Sequence, residues 1–148
     1  MAPRLAPPTG LDPKNCSFSH DIRARFAETD AMGIVHHASY LLYLEEARFE
    51  WLRQLGRDYA TLRDAGHDFA VLEVFAQYVT PIRFDEVLTV HLRMGAVTRS
   101  RFQVDYLLTV GGDRRALAST VHACVTTTGR PVRLPDWLAE LSQDGPIP

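Results

Sequence analysis

Side chains that could do chemistry lie close together in the segment from Glu28 to His37. Asp30 is followed by Gly33 and by the histidines His36 and His37. A carboxylate can attack an activated carbonyl carbon, or it can take a proton from a water molecule that attacks it. Such a reaction also needs hydrogen-bond donors where negative charge develops on the carbonyl oxygen. Asp30 is therefore the candidate reactive group, provided that donors lie beside it.

The donors can come from a helix that follows this segment. Gly33 allows the chain to turn sharply after Asp30. From Ala38 to Leu55 the chain has no Gly or Pro, and its apolar residues recur with helical spacing. The first turn of a helix has free N–H groups and a partial positive charge. The sequence thus predicts one long helix over residues 38–55 that begins beside the Asp30 loop.

The predicted helix is amphipathic, and Gly56 is its expected C-terminal stop. Its polar side includes Ser39, Glu46, Glu50 and Arg53. Its broad apolar side, which we expect to be buried, comprises Tyr40, Leu41, Leu44, Ala47, Trp51, Leu52 and Leu55.

The rest of the sequence predicts strands. Residues 20–27 alternate, with Ile22, Ala24 and Phe26 on one side, as in a half-buried strand. A short helix is predicted near residues 59–65. Apolar or alternating runs then predict four more strands, over 69–79, 87–94, 102–110 and 117–127.

Two turns separate the later strands. Gly111-Gly112-Asp113 predicts a hairpin turn, and Gly95 with the polar run from Thr98 to Arg101 predicts another. A meander can connect the four strands. One strand, one long helix and four strands together predict an α+β fold, in which about five antiparallel strands wrap around the helix.

The chain of 148 residues is long enough for one domain and short for two. Pro-rich residues 1–18 predict a flexible N-terminal tail, and residues 141–148 predict a loose C-terminal tail. The folded domain is expected over residues 19–140.

Composition excludes several classes of protein. A net charge of -2 provides no general attraction to nucleic acid. Residues 1–10 lack the apolar core of a signal peptide, and no run approaches the roughly 20 apolar residues of a membrane span. Cys16 and Cys124 lie far apart without partners at metal-ligand spacing. We expect a cytoplasmic protein without an integral membrane segment, a metal or a cofactor.

Two runs resemble the motif of the 4-hydroxybenzoyl-CoA thioesterase family: DAMGIVHHASY over residues 30–40 and LEEAR over residues 44–48. Ala76, Tyr78, Pro81 and Phe84-Asp85 are similar to the exit of the family's second strand, and residues 123–135 resemble its last strand. The resemblance covers roughly residues 20–135 and implies the hotdog fold.

The resemblance also implies an activity, the hydrolysis of an acyl-CoA or acyl-carrier-protein thioester. Asp30 would be the catalytic carboxylate, and the backbone N–H of His37 would polarise the thioester carbonyl. One such donor contributes roughly 2.7 to 4 kcal/mol in the transition state. Gly33, Val35, His36 and Tyr40 are the neighbouring candidates for contact with substrate, with packing as the alternative for His36 and Tyr40.

Basic residues are needed for the phosphates of CoA. Arg99 and Arg101, with Ser100 between them, occupy the turn where the family commonly binds the CoA nucleotide. A solvated basic turn is the alternative. Arg114, Arg115, Arg130 and Arg133 are further candidates.

Glu45 and Arg48 fall within or beside the apolar side of the helix, three positions apart. One interpretation is a buried ion pair that fixes the helix or a subunit contact. The other comes from a sister branch of hotdog thioesterases, where a helix glutamate about two turns beyond the oxyanion donor is catalytic. Glu45 matches that spacing from His37, so it is the rival to Asp30.

Two other functions remain open. A hotdog hydratase or dehydratase would place His five residues after Asp, where this chain has Val35. A non-catalytic acyl-CoA-binding protein would keep the pocket without the acid, and the presence of Asp30 argues against it. A single helix leaves one sheet edge poorly covered, so we expect a homo-oligomer, a dimer or a tetramer as in hotdog proteins.

Overall fold

One antiparallel sheet and one long helix dominate residues 8–142, the part of the chain that this computed structural model describes. The strands are β1 (Phe18–Arg23), β2 (Asp68–Tyr78), β3 (Val87–Val97), β4 (Arg101–Val110) and β5 (Asp113–Val125). The helices are α1 (Ser39–Gln54), α2 (Tyr59–Asp64) and α3 (Asp136–Ala139). The strand order is β1-β3-β4-β5-β2, and every pair is antiparallel. The predicted α+β class is confirmed.

The predicted four-strand meander is wrong in one respect, because β2 pairs with β5 and not with β3. Short turns make β3, β4 and β5 neighbours, and this leaves the far edge of β5 for β2. The two intervening strands separate β2 from β3 by about 14 Å. The connection over residues 79–86 can span roughly 26 Å when extended, so it reaches across the sheet.

Both predicted turns are present, but Gly95 is not part of the second one, which lies between Val97 and Arg101. Gly111 and Gly112 both have positive φ, 57° and 87°, as the tight turn between β4 and β5 requires. Gly95 lies within β3, beside the register shift between Met94 and Val97, and not in a turn. A Cβ atom there would lie 3.2 Å from Oδ2 of Asp105, so the residue allows a close approach of β4.

The long helix is confirmed, but its buried side is shifted. Leu41 and Leu55, which were expected to be buried, are 41% and 38% exposed, whereas Tyr43 is 2% exposed. Tyr43 can be buried because its hydroxyl donates to Oε1 of Glu28 at 2.9 Å. The buried residues of α1 are Tyr40, Tyr43, Leu44, Ala47, Trp51 and Leu52, and all of them except Leu52 pack in one core with inward side chains of β3, β4 and β5.

The first strand ends earlier than predicted. It covers Phe18–Arg23, and the chain then forms a 3-10 turn over Phe26–Glu28. The backbone N–H of Arg25 donates to the Glu28 carboxylate, which draws the chain out of the sheet. Ala24 is buried as expected, but Phe26 is 75% exposed and lies edge-on against Phe84.

The described parts of both predicted tails contact the domain. Leu11 is buried, and the Arg114 guanidinium donates to its carbonyl oxygen at 2.6 Å. Leu141 packs against the core. Residues 1–7 and 143–148 lie outside the described part, so the domain boundaries stay a prediction. Between residues 8 and 142, no helix is long and apolar enough to cross a membrane.

The Glu28 carboxylate holds the Asp30 loop against α1. It accepts from the backbone N–H of Arg25 at 2.7 Å, from the Arg25 guanidinium at 3.0 and 3.1 Å, and from Tyr43. The carbonyl oxygen of Glu28 accepts from the His36 N–H and the Ser39 hydroxyl. Burial raises the pKa of Glu28, but the bonds from Arg25 and Tyr43 outweigh it and lower that pKa below its ordinary value of 4.5.

Replacing Glu28 by Gln should destabilise the protein by about 2 kcal/mol at pH 7, because an amide puts a donor against Arg25 inside the fold. Since the folded pKa of Glu28 is lowered, its contribution is complete above about pH 4.5 and is lost as the pH falls further. Thermal unfolding between pH 7 and pH 3 measures both effects. Exposed Glu73→Gln is the control. An unchanged acid profile in Glu28→Gln would contradict this assignment.

Candidate active site

Asp30 lies in a tight loop that its own carboxylate helps to close. Its Oδ1 accepts from the Met32 N–H at 2.8 Å. The Gly33 N–H donates to the Asp30 carbonyl, and the Asp30 N–H donates to the Ile34 carbonyl. Gly33 has a φ of 75°, which favours glycine. Oδ2 of Asp30 receives no hydrogen bond from residues 8–142, so one carboxylate oxygen of this half-buried side chain is available.

The chain after the loop is fixed by backbone bonds to its neighbours. Val35 forms a bridge with Thr29, and its N–H donates to the Ile82 carbonyl at 2.7 Å. Ile34 forms a bridge with Arg83. The loop therefore lies between the 3-10 turn before it and the connection that leads to β3.

His37 lies directly before Ala38, the N-cap of α1. Its carbonyl oxygen accepts from the Tyr78 hydroxyl at 3.0 Å. Its backbone N–H donates to no described residue. The Ala38 N–H, in contrast, donates to Nδ1 of His36 at 3.0 Å. The His37 N–H just before α1 is thus a free donor among the described residues, and the neighbouring Ala38 N–H is already bonded to a side chain.

An open cavity of about 290 Å³ brings several predicted residues together. Asp30, Val35, His37 and Tyr40 all line it, along with Tyr78 and Thr80. Gly33 and His36 adjoin this set without lining the cavity. The ring of His36 stacks on His37 with 4.1 Å between ring centroids, and its Nδ1 caps the helix start. His36 therefore has a structural role here, and its contact with substrate stays a prediction.

Two tyrosines form one wall of this cavity. Tyr40 is 4% exposed and packs edge-on against Tyr78, with 4.8 Å between ring centroids. Burial raises the pKa of both phenols. Tyr78 was not predicted as a site residue, although it belongs to a segment with family resemblance. Its hydroxyl orients the peptide group that follows His37.

Glu45 is not beside Asp30 in this chain. It is exposed and lines a different cavity, together with Arg48. The predicted buried ion pair between Glu45 and Arg48 is wrong, since no such pair lies within 4.0 Å among the salt bridges of the described residues. The Arg48 guanidinium turns towards the sheet and donates to the Tyr106 hydroxyl at 3.0 Å.

Arg99, Ser100 and Arg101 lie where β3 turns into β4, as expected. Both arginine side chains are exposed. The carbonyls of Arg99 and Ser100 accept from the backbone N–H groups of Leu134 and Cys124, each at 2.8 Å. None of the three residues lines the Asp30 cavity within one chain.

Residues 8–142 contain no ready set of metal ligands. No group of three or more His, Cys, Asp or Glu side chains there is arranged to hold an ion. The stacked rings of His36 and His37 lie against each other and do not converge on a common point.

Known proteins of similar sequence and structure cover most of the chain. A 1,4-dihydroxy-2-naphthoyl-CoA hydrolase of Thermosynechococcus vestitus is 33% identical over 80% of this chain and 86% of its own length. The crystal structure of a hypothetical protein from Aquifex aeolicus is 37% identical with a TM-score of 0.79, and the match covers 84% of this chain and 98% of that one. A thioesterase of Thermus thermophilus, solved in complex with coenzyme A and Zn, is 25% identical with a TM-score of 0.74, over 86% of this chain and 98% of that one.

The predicted hotdog fold is confirmed by these structures and by the five-stranded sheet with its helix. A family match extends over residues 24–141, which include the Asp30 loop, α1 and all of β2 to β5. The chain therefore belongs to the thioesterase-like superfamily.

Proposed function

We propose that this chain hydrolyses an acyl-CoA thioester to a free acid and a thiol, with Asp30 as the catalytic carboxylate. The observation that supports it most is that one cavity is lined by two residues that each have a group without a hydrogen-bond partner among the described residues. Oδ2 of Asp30 has no donor among the described residues, and the N–H of His37 in the same lining has no acceptor there. A reaction that needs both an attacking group and an oxyanion donor can use this pair.

In the proposed reaction, the thioester carbonyl oxygen first accepts a hydrogen bond from the His37 N–H. Asp30 then attacks the carbonyl carbon, or it takes a proton from a water molecule that attacks. Negative charge moves to the carbonyl oxygen, where the N–H and the partial positive charge at the start of α1 stabilise it. The carbon–sulfur bond breaks as the charge returns, and the thiolate leaves. In the first route, water afterwards hydrolyses a mixed anhydride.

The proposed substrate is a thioester of coenzyme A. Two of the relatives are named for a CoA thioester or were solved with coenzyme A, and the motif of residues 30–48 resembles the 4-hydroxybenzoyl-CoA thioesterase family. An acyl-carrier-protein thioester has the same pantetheine arm and is the alternative. Arg99, Ser100 and Arg101 are proposed to hold the CoA phosphates, since two exposed guanidinium groups flank one hydroxyl at this turn.

The active enzyme is proposed to be a homo-oligomer, either a dimer or a tetramer. β2 is an edge strand of the described sheet, and Val71, Leu72 and Val74 on it are 44–49% exposed. An exposed apolar edge of this length favours pairing with another strand. Arg99 and Arg101 could then approach the cavity of a neighbouring subunit. The cytoplasm is the proposed location, which agrees with the free thiols of Cys16 and Cys124.

Replacing Asp30 by Asn should reduce kcat for thiol release from acyl-CoA by at least about 100-fold, because the amide is neither a nucleophile nor a base. Release of CoA thiol from a panel of aromatic, short-chain and fatty acyl-CoAs measures this. Asp64→Asn, at an exposed carboxylate at the end of α2, is the matched control and should keep full activity. Glu45→Gln decides the rival assignment: if it abolishes turnover while Asp30→Asn does not, Glu45 is the catalytic carboxylate.

The double variant Arg99→Ala and Arg101→Ala should raise KM for acyl-CoA about tenfold and leave kcat nearly unchanged. The two guanidinium groups would bind the nucleotide, which is remote from the reacting carbon. The matching acyl-pantetheine thioester lacks that nucleotide, so its kcat/KM should not change. Arg23→Ala, at another exposed arginine, serves as control. An equal loss for both substrates would show that the turn does not recognise the nucleotide.

Sedimentation velocity should show a dimer or a tetramer at assay concentrations. Val74→Lys should shift this equilibrium towards the monomer, because a charge on the exposed β2 edge opposes strand pairing. Val87→Lys, at an exposed valine of β3, is the matched control. A wild-type protein that is fully active as a monomer would refute the proposed assembly.

A further inference from the structure

The backbone from His36 to Ala38, at and just before the N-cap of α1, is almost fully hydrogen-bonded within the described residues. The His36 N–H donates to the Glu28 carbonyl at 2.8 Å, and the His36 carbonyl accepts from the Ser39 N–H at 2.9 Å. The Ala38 carbonyl accepts from the Leu41 N–H at 3.2 Å. These three bonds join main-chain groups, so they do not require particular side chains.

Two side chains hold the peptide group between His37 and Ala38. The Tyr78 hydroxyl donates to its carbonyl oxygen at 3.0 Å, and its N–H donates to Nδ1 of His36 at 3.0 Å. Of the N–H and carbonyl groups of residues 36–38, the His37 N–H is the one without a partner in the described part of the chain. The peptide group that the two side chains hold is attached to the same Cα atom as this free N–H.

His36 needs only an acceptor for this contact. Its Nδ1 accepts from the N–H two residues later, as Oδ1 of Asp30 does from Met32. Asn and Asp side chains commonly form this kind of turn, and Oδ1 of Asn lies at the same place along the side chain as Nδ1 of His. An Nδ1 atom that accepts carries no proton, so the neutral ring has its proton on Nε2. The backbone therefore uses the acceptor and not the acid–base chemistry of the ring.

The direction of the His37 N–H matters if this group binds an oxyanion. Such a donor is effective when it lies about 2.7–3.1 Å from the developing negative charge and needs no rearrangement during the reaction. A misplacement of about 1 Å in an active site can reduce the rate about 100-fold. His37 and Ala38 are both exposed, so packing alone does not fix the backbone here. The hydrogen bonds with His36 and Tyr78 are left to fix it.

We propose that His36 and Tyr78 are positioning residues, which together hold the His37 N–H towards the thioester carbonyl. Neither side chain attacks the substrate or transfers a proton in this role, because both act through the backbone. The inference rests on the proposed hydrolysis and assigns two residues to it besides Asp30 and the His37 N–H itself.

Replacing His36 by Leu keeps a side chain of similar bulk and removes the acceptor. It should lower kcat for thiol release about tenfold and leave KM nearly unchanged, because the donor acts most strongly in the transition state. His36→Asn keeps the acceptor and should retain kcat within about twofold. His67→Leu, at a half-buried histidine beyond α2 and outside the Asp30 cavity, is the matched control. An Asn variant as slow as the Leu variant would overturn the proposal, since the imidazole itself would then be required.

Tyr78→Phe removes the other hydrogen bond and keeps the ring that packs on Tyr40. It too should lower kcat with little effect on KM. Since both side chains hold one peptide group, the double variant His36→Leu with Tyr78→Phe should lose less activity than the product of the two single losses. Wild-type kcat in Tyr78→Phe, or strictly multiplicative losses, would contradict the shared role. Should His36→Leu not fold, Tyr78→Phe alone still decides the matter.

Hydrogen exchange of the ¹⁵N-labelled full chain separates this inference from the proposed function, because it needs no turnover. The Ala38 amide should exchange with solvent severalfold faster in His36→Leu than in the wild type or in His36→Asn. Unchanged exchange would show that His36 does not hold this peptide group, whatever the activity. A wild type that releases no thiol while Ala38 behaves as expected would refute the hydrolysis instead. Full kcat in His36→Leu with fast Ala38 exchange would refute the positioning role alone.

Discussion

The buried carboxylate of Glu28 joins three pieces of chain that form separately: the end of β1, the Asp30 loop and α1. The carboxylate oxygens accept hydrogen bonds from Arg25 and Tyr43. The backbone carbonyl oxygen of Glu28 accepts from the His36 N–H and the Ser39 hydroxyl. These bonds connect the start of the loop both to the end of β1 and to α1. A short polar network therefore helps to place Asp30 and His37 in the lining of one cavity.

The position of β2 matters to the site as much as the loop does. Since β2 lies at the sheet edge beside β5, its last residue, Tyr78, reaches the start of α1 and binds the carbonyl of His37. The connection after β2 then supplies Ile82 and Arg83, which bond to the far side of the loop. The same edge position leaves the apolar residues of β2 open to solvent. The geometry of the site and the exposure of this apolar edge thus have a common origin in the strand order.

Local patterns predicted the long helix, the Gly111-Gly112 turn and the segment from Asp30 to His37, because each depends on residues near in sequence. The predictions that were wrong concern residues whose contacts lie far away in sequence. Tyr43 can be buried because its hydroxyl donates a hydrogen bond to Glu28. Arg48 does not pair with Glu45 because its guanidinium donates to the Tyr106 hydroxyl of β4. The place of β2 could not be read either, since alternation shows which face of a strand is buried but not which strand lies beside it. The roles of the site residues rest on family resemblance and geometry together.

The pairing of β2 with β5 also has a consequence for biosynthesis. β2 is synthesised about 35 residues before β5 begins, so this apolar strand stays unpaired until β5 has been made. β1 waits longer still for β3, because α1, α2 and β2 lie between them. Both edge strands are therefore joined to the sheet by contacts between residues far apart in sequence, which slows folding relative to a simple meander. Until β5 emerges, β2 exposes both of its edges, and in the finished sheet β5 covers one of them.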